Sequence, residues 1–215
     1  TVVAAWFGGS SEKKNDVNIY TSVRTEEDGW SEPVVVSAAA EIAHWNPVLF
    51  QKEDGTVILY FKVGKDTDYW QTYYATSTDG RSWSTPRELV PGDNSGGRGP
   101  VKNKPIRLKD GTVLAPASTE INGEWRAFVD ISNDDGETWT RTENVDSKYC
   151  ICFKVPMIQP TLWQSADGSV HMLTRTKVGK IYRSDSYDNG KTWCRAYATK
   201  LPSNNSGIDL DTDDQ

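Results

Sequence analysis

The sequence predicts an all-β fold, a β-propeller of four-stranded antiparallel blades, from a long-period repeat, the strand-like content of each repeat and turn residues at matching places. Gly-Trp turns recur as DGW ending at Trp30, DGRSW at Trp83, DGETW at Trp139 and NGKTW at Trp193, so the tryptophans stand 53, 56 and 54 residues apart. A second series, DGT at Asp54, DGT at Asp110 and DGS at Asp167, keeps the same period, and Thr1 lies 55 residues before Thr56. Two independent markers on one period identify a repeat architecture. No segment sustains a helical period of apolar residues.

Each period reads as short β-branched and aromatic runs broken by Asp-Gly, the signature of hairpins. The first repeat, near residues 1–35, opens at its second strand with TVVAAWFGG. The second, 46–91, runs NPVLFQ, TVILYFKV, WQTYYATS and RELV; the third, 103–146, runs KPIRL, TVLAPAS, WRAFVDIS and a tail. The fourth, 157–200, runs QPTLW, SVHMLTR, KIYRSDS and a tail, and 206–215 stands where a further blade starts. There the acidic Asp209, Asp211, Asp213 and Asp214 do not read as a buried inner strand. The whole of 1–215 is expected to form a single, incomplete propeller domain, because four-stranded units of this length pack radially and leave only short edges.

In the Trp-bearing turns, Ser132 and Asp134, like Ser186 and Asp188, are placed to accept backbone N–H groups while glycine takes positive φ. The tryptophan then folds back between sheets, a structural role. In the second copy Thr78 stands where Asp134 would be, and the copy ending at Trp30 is shortened.

Composition excludes several classes. Thirty acidic residues against 24 basic ones leave a net charge of −6, which argues against nucleic acid as partner. With 36% hydrophobic residues the chain is an ordinary globular one, and no apolar run reaches the roughly 18 residues of a membrane span. Three cysteines, Cys150, Cys152 and Cys194, show no CxxC spacing, so buried or free thiols are expected and no metal. No cofactor is expected; calcium has no specific ligand loop to support it. Asn204-Asn205-Ser206 is a glycosylation sequon of low specificity.

The runs SNDDGETW and SYDNGKTW match the Asp-box, S-x-D-x-G-x-T-W, and through them the chain resembles the sialidase superfamily and its BNR-repeat relatives. WNPVLF, TSTDGRSWSTPREL and GRGPVKNKPIRL extend the likeness to the neuraminidase-like branch of that superfamily. The resemblance implies a propeller of six or seven blades; six need roughly 324 residues at this period, so a second chain or a further segment would complete the ring.

Short Asp-Gly turns crowd one face of such blades, so a pocket belongs on the opposite face, where the second-to-third loops and the inter-blade crossings emerge. That face gathers Lys62, Arg98, Lys102, Lys104 and Arg175, a cationic set suited to a carboxylate-bearing ligand. It also carries Asn46, Glu120 and Gln159, with Trp45, Trp70 and Trp125 as aromatic surfaces for sugars. His44, in HWNPVLF at the pocket mouth, is read as a general base near neutral pH. His171, alternating with Val170 and Met172, reads as structural.

By position, the resemblance implies that Asp16 is the acid/base aspartate and Arg175 one arginine of the carboxylate-clamping triad. It also shows departures. Gln159 stands where sialidases keep the glutamate that polarises the tyrosine nucleophile, and Gly9 and Ser10 fill the region of another triad arginine. The tyrosine itself belongs to later blades. The expected function is therefore cleavage of a glycosidic bond of an acidic sugar, sialic acid or uronate, in an oligosaccharide or polysaccharide, outside the cell. The alternatives are a glycan-binding propeller without chemistry and a uronate lyase in which His44 abstracts the α-proton.

Overall fold

A computed structural model describes residues 1–151 and 153–212 of the chain. Cys152, Asp213 and Asp214 lie outside the described residues. The chain forms two compact units, Thr1–Gly97 and Arg98–Gln215.

The first unit holds two sheets. One pairs β1 (Val2–Gly8) with β2 (Asn18–Thr25), and β2 in turn with the short β3 (Gly29–Trp30) and β4 (Val34–Val36). β1 occupies the second-strand place expected for this repeat. The other sheet is a meander of β5 (His44–Gln51), β6 (Val57–Val63), β7 (Gln71–Ser77) and β8 (Arg87–Glu88). Ile19 and Val36 of the first sheet join Leu59, Phe61, Val63 and Ala75 of the second in one core. Fully burying each such large side chain stabilises the fold by about 1.5–3 kcal/mol.

The second unit repeats the plan: β9 (Ile106–Arg107), β10 (Val113–Thr119), β11 (Arg126–Ser132) and β12 (Thr140–Arg141) form one meander, with a 3₁₀ turn at Ile121–Gly123 between β10 and β11. A hairpin of β13 (Lys148–Cys150) and β14 (Phe153–Lys154) follows. The second meander is β15 (Met157–Gln164), β16 (Val170–Thr176), β17 (Lys180–Ser186) and β18 (Tyr197–Pro202). Leu114 and Val129 pack with Leu162, Met172 and Tyr182 to form the core of this unit. β10 is buried at every position because it sits inside its sheet and is covered on both faces. Its Pro116 lies beyond the two residues that β9 pairs, where a missing N–H breaks no ladder on that side.

The Asp-box turns have the expected bonding. Ser186 Oγ accepts from Gly190 N at 2.9 Å, and Asp188 receives Thr192 N at 2.9 Å and the Thr192 hydroxyl at 2.6 Å. Ser132, Asp134, Gly136 and Thr138 repeat this pattern. In the second copy Asp79, one residue later, does the work of Asp134, receiving Arg81 N and Ser82 N at 2.8 Å each. Two of these turns lean on the preceding blade of their own unit. Trp83 Nε1 donates to Thr21 Oγ1 at 3.0 Å, and Asn189 Nδ2 donates to Asp110 Oδ2 at 2.7 Å. Gly190, at φ +82°, faces Leu114 so closely that a Cβ would stand 2.7 Å from its methyl carbon.

The inner strands β5 and β15 share a kink. Asn46 (φ +45°) precedes Pro47 and Gln159 (φ +51°) precedes Pro160, and pairing slips at both places, between Trp45 and Val48 and between Ile158 and Thr161. Proline removes a ladder donor and the left-handed residue before it forms a bulge that re-aims its side chain. No helix among the described residues is long and apolar enough to cross a membrane.

Candidate functional site

In the first unit, β5 and β6 bring His44, Trp45 and Lys62 together, but inside the protein. His44 is buried, its Nδ1 set against the carbonyl oxygens of Ile42 (2.9 Å) and Val17 (3.2 Å) and its Nε2 accepting from Ala38 N (3.0 Å). Two carbonyls require the proton on Nδ1 and the Ala38 amide requires a lone pair on Nε2, so the ring is neutral with both nitrogens engaged. Burial pushes its pKa below the ordinary histidine value, against smaller opposing effects of the two carbonyl bonds. The expectation of a general base at His44 is corrected on these grounds: the imidazole has no nitrogen left to take a substrate proton.

Trp45 and Trp70 are likewise sealed. They meet edge to face at 5.7 Å, and their indole N–H groups donate to the carbonyls of Gly64 (2.8 Å) and Gly96 (2.9 Å). Lys62, only 1% exposed, donates to Thr72 Oγ1 at 2.6 Å. The sugar-stacking role expected of these tryptophans and the surface cation expected at Lys62 give way to an internal cluster. Asn46 is half-buried at the kink. Asp16 is exposed in the β1–β2 loop, its carboxylate accepting from Ser10 N (2.9 Å) and Ser10 Oγ (3.0 Å), and these bonds lower its pKa.

In the second unit the basic residues divide by partner. Arg98 forks onto buried Asp130, with Nη2 at 2.6 Å and Nε at 3.1 Å from both oxygens, and also donates to the Trp139 carbonyl. The expected ligand contact at Arg98 is thus replaced by an internal ion pair. Lys102 donates to Asn103 Oδ1 (2.9 Å) and the Ile208 carbonyl (3.1 Å), while Lys104 reaches the Leu210 carbonyl (3.4 Å) and Asp211 (3.5 Å). Both therefore hold the segment after β18. Glu120 is half-buried where β10 ends.

Arg175 differs. It is half-buried at the end of β16, and its Nη1 donates to Gln159 Oε1 and its Nε to Asn205 Oδ1, each at 3.1 Å. Both partners are neutral amides, and among the described residues Arg175 forms no ion pair. The Gln159 end of this arrangement is rigid. Gln159 N donates to Ser118 Oγ (3.1 Å), and the buried Asn103 donates from Nδ2 to the carbonyls of Gln159 (3.2 Å) and Pro160 (2.9 Å). Trp125 lies alongside, with the Lys177 ammonium 3.9 Å and the Arg175 guanidinium carbon 5.2 Å from its ring centroid. The result is a positively charged guanidinium beside an aromatic ring, with no carboxylate among the described residues to neutralise it. Such an arrangement is preorganised for a planar anion.

Gln159, Arg175 and Trp125 were legible in the sequence. Asn103, Asn205 and Lys177 were not singled out. Lys177 follows Arg175 by two residues, the strand period, which was the available signal; the asparagines act through contacts from distant loops. Among the described residues no group of three or more His, Cys, Asp or Glu side chains is placed to hold a metal ion.

A family model described as a BNR repeat-like domain matches residues 1–215. Solved structures match as well. A protein of unknown function from Dyadobacter fermentans is 18% identical, with a TM-score of 0.72 over 91% of this chain and 65% of its own. The Hadza microbial sialidase Hz136 is 17% identical, with a TM-score of 0.73 over 93% of this chain and 44% of its own. Trypanosoma rangeli sialidase, in complex with sialic acid, is 16% identical, with a TM-score of 0.66 over 89% of this chain and 35% of its own. The chain thus spans from about a third to just under two thirds of the length of these proteins. No curated protein matches it significantly. At these identities the likeness establishes the fold, a sialidase-type β-propeller of four-stranded blades.

Proposed function

The chain belongs to the BNR repeat-like family, and from that premise and the geometry at Arg175 we propose that it binds a carboxylate-bearing sugar of a glycan and serves a sialidase-like carbohydrate-active protein. One observation carries the reading: the half-buried Arg175 guanidinium is oriented by two neutral oxygens, of Gln159 and Asn205, and among the described residues no acid balances it. A sugar carboxylate supplies the missing charge, and the exposed Lys177, which lies over the buried Trp125, flanks the pyranose. A place outside the cell suits a glycan ligand.

Cleavage of a glycosidic bond assigns proton transfer to Asp16. Its Ser10 contacts favour the carboxylate form, the form a general base needs. A second reading, binding without turnover, is favoured by Gln159, whose amide cannot take up a proton as a glutamate would. Lyase chemistry with His44 as base has no support from a buried, doubly bonded imidazole.

Calorimetric titration with free sialic acid and with glucuronate tests the binding. Arg175→Ala is expected to weaken the preferred sugar at least tenfold, about 1.4 kcal/mol. Equal affinity of the variant and the unaltered protein for both sugars overturns the reading. Release of sugar from aryl glycosides, abolished in Asp16→Asn, separates the enzyme from the binding protein.

A further inference from the structure

The hairpin β13–β14 stands in the crossing from β12 to β15, on the loop face that the blade order reserves for ligands, and it carries an unusual surface. Ile151 is 96% exposed, Tyr149 74% and Phe153 42%, with Tyr149 and Phe153 in edge-to-face contact at 6.4 Å. Large side chains left this open in a soluble fold mark a contact surface.

The charges on the same hairpin are equally uneconomical. Lys148 and Lys154 are direct cross-strand partners. Like charges at opposed positions of an antiparallel pair repel. Neither forms an ion pair among the described residues. The nearest acid along the chain, Asp146, accepts Lys148 N with one oxygen and binds the Arg195 guanidinium with the other, at 2.9 Å each. In a protein of net charge −6, two facing lysines with no ion pair among the described residues make a local positive patch.

Between this hairpin and the β10–β11 connection lies a cavity of about 500 Å³, lined by Trp125, Phe153, Pro156, Lys148 and Lys154 among others. Arg126 and Glu124 also line it and pair with each other at 2.7 Å, which leaves the two lysines as the lining charges without an ion pair among the described residues. The cavity is large enough for one pyranose. Trp125 is shared: it walls the cavity while Lys177 and Arg175 approach its ring.

We propose that the cavity between the β13–β14 hairpin and Trp125 is a second subsite, which holds a neighbouring carboxylate-bearing sugar of the same glycan, with Lys148 and Lys154 at its carboxylate and Phe153 against its ring. The inference rests on the reading that Arg175 binds the first acidic sugar, and it narrows the substrate to glycans with acidic residues in succession. Aromatic and aliphatic walls alone would suit any sugar; the paired lysines select a charged one.

The test compares a single sugar with a short chain of it, in two arms: sialic acid with its tetramer, and galacturonate with its tetramer. In one arm the tetramer is expected to bind about tenfold or more tightly than the single sugar, with the advantage shrinking as salt rises. Lys148→Gln combined with Lys154→Gln should remove most of that advantage and leave single-sugar affinity within about twofold. Phe153→Ser should reduce the tetramer's affinity alone. These side chains are exposed, and near-ultraviolet circular dichroism checks that the variants keep the fold. A tetramer no tighter than its single sugar in both arms, or a length advantage unchanged by the double substitution, overturns the subsite, as does the absence of binding in both arms. Arg175→Ala separates the two readings: unaltered single-sugar binding in that variant refutes the role of Arg175, whereas the lysine pair is judged by the length advantage.

Discussion

Lys62 and Arg175 occupy the same register position in their respective blades: each pairs across to the residue just before an X–Pro kink, Lys62 with Trp45 and Arg175 with Ile158. Their fates differ. Lys62 is enclosed with Trp45 and Trp70 and donates to Thr72, whereas Arg175 stays half-open between two amide oxygens. One strand position thus serves as an internal tie in one blade and as the proposed anion contact in another. The neighbours decide which.

Asn103 is the first target, because it fixes the left-handed Gln159 through two carbonyls from a buried position. Asn103→Ala leaves those carbonyls without their donor. A loss of about 1–3 kcal/mol is expected in denaturant unfolding, with weaker acidic-sugar binding in the folded fraction.

Removing Arg98 should cost more than removing Arg175. Asp130 is fully buried, and Arg98→Met strips it of its guanidinium partner. Breaking a buried pair in this way costs about 3–5 kcal/mol. Arg175→Ala, which orphans no charge, is expected to leave the unfolding midpoint nearly unchanged while weakening binding at least tenfold, about 1.4 kcal/mol. Comparing urea midpoints of the two variants checks the contrast.

For His44 the sign of the pH effect follows from its lowered folded pKa. The unfolded chain binds the proton first, so the stability that this group contributes is complete above its unfolded pKa of about 6.5 and is lost as pH falls from there through the folded value. His44→Ala should cost about 1–3 kcal/mol at neutral pH and flatten stability between pH 7 and the acid side. Sugar affinity per folded molecule should not change; a specific loss of turnover in a stable variant would restore the catalytic reading.

At lower pH the Asp-box carboxylates take over. Backbone N–H groups of Ser82 and Arg81, with the Ser77 hydroxyl, bring Asp79 to about 2, and Asp134 and Asp188 are also lowered by their threonine and serine bonds in spite of partial burial. Depressed carboxyl values contribute stability that is present above the ordinary value near 3.8 and lost as pH falls toward 2. Thermal midpoints measured from pH 5 to 2 should drop steeply below pH 4, and less steeply in Asp79→Asn and Asp188→Asn.

The repeat, the strand content and the Asp-box bonding were legible because each is encoded within a few residues: Ser186, Asp188, Gly190 and Thr192 bond to one another, so spacing alone reveals them. The site was legible only where a side chain's environment is also local. Arg175 and Gln159 lie on paired strands and could be placed by register. His44 and Lys62 looked like surface groups because their burial comes from Trp70, Val17 and the loop before His44, which spacing does not report. Arg98 looked free because Asp130 is 32 residues away in sequence. The β13–β14 hairpin falls between the third and fourth repeats and carries no strand signal of its own, since KYC and FK are too short to show alternation.

The kink before Pro47 and Pro160 separates architecture from chemistry. Its shape comes from the proline ring and one left-handed residue, so the identity of that residue's side chain can change without moving the strand. A carboxylate there would neutralise the arginine opposite from within; an amide leaves that arginine to draw its counterion from outside. Under the proposed reading, exchange of a single oxygen for nitrogen at this point alters the charge set beside Arg175 while the kink, and with it the strand, stays as built.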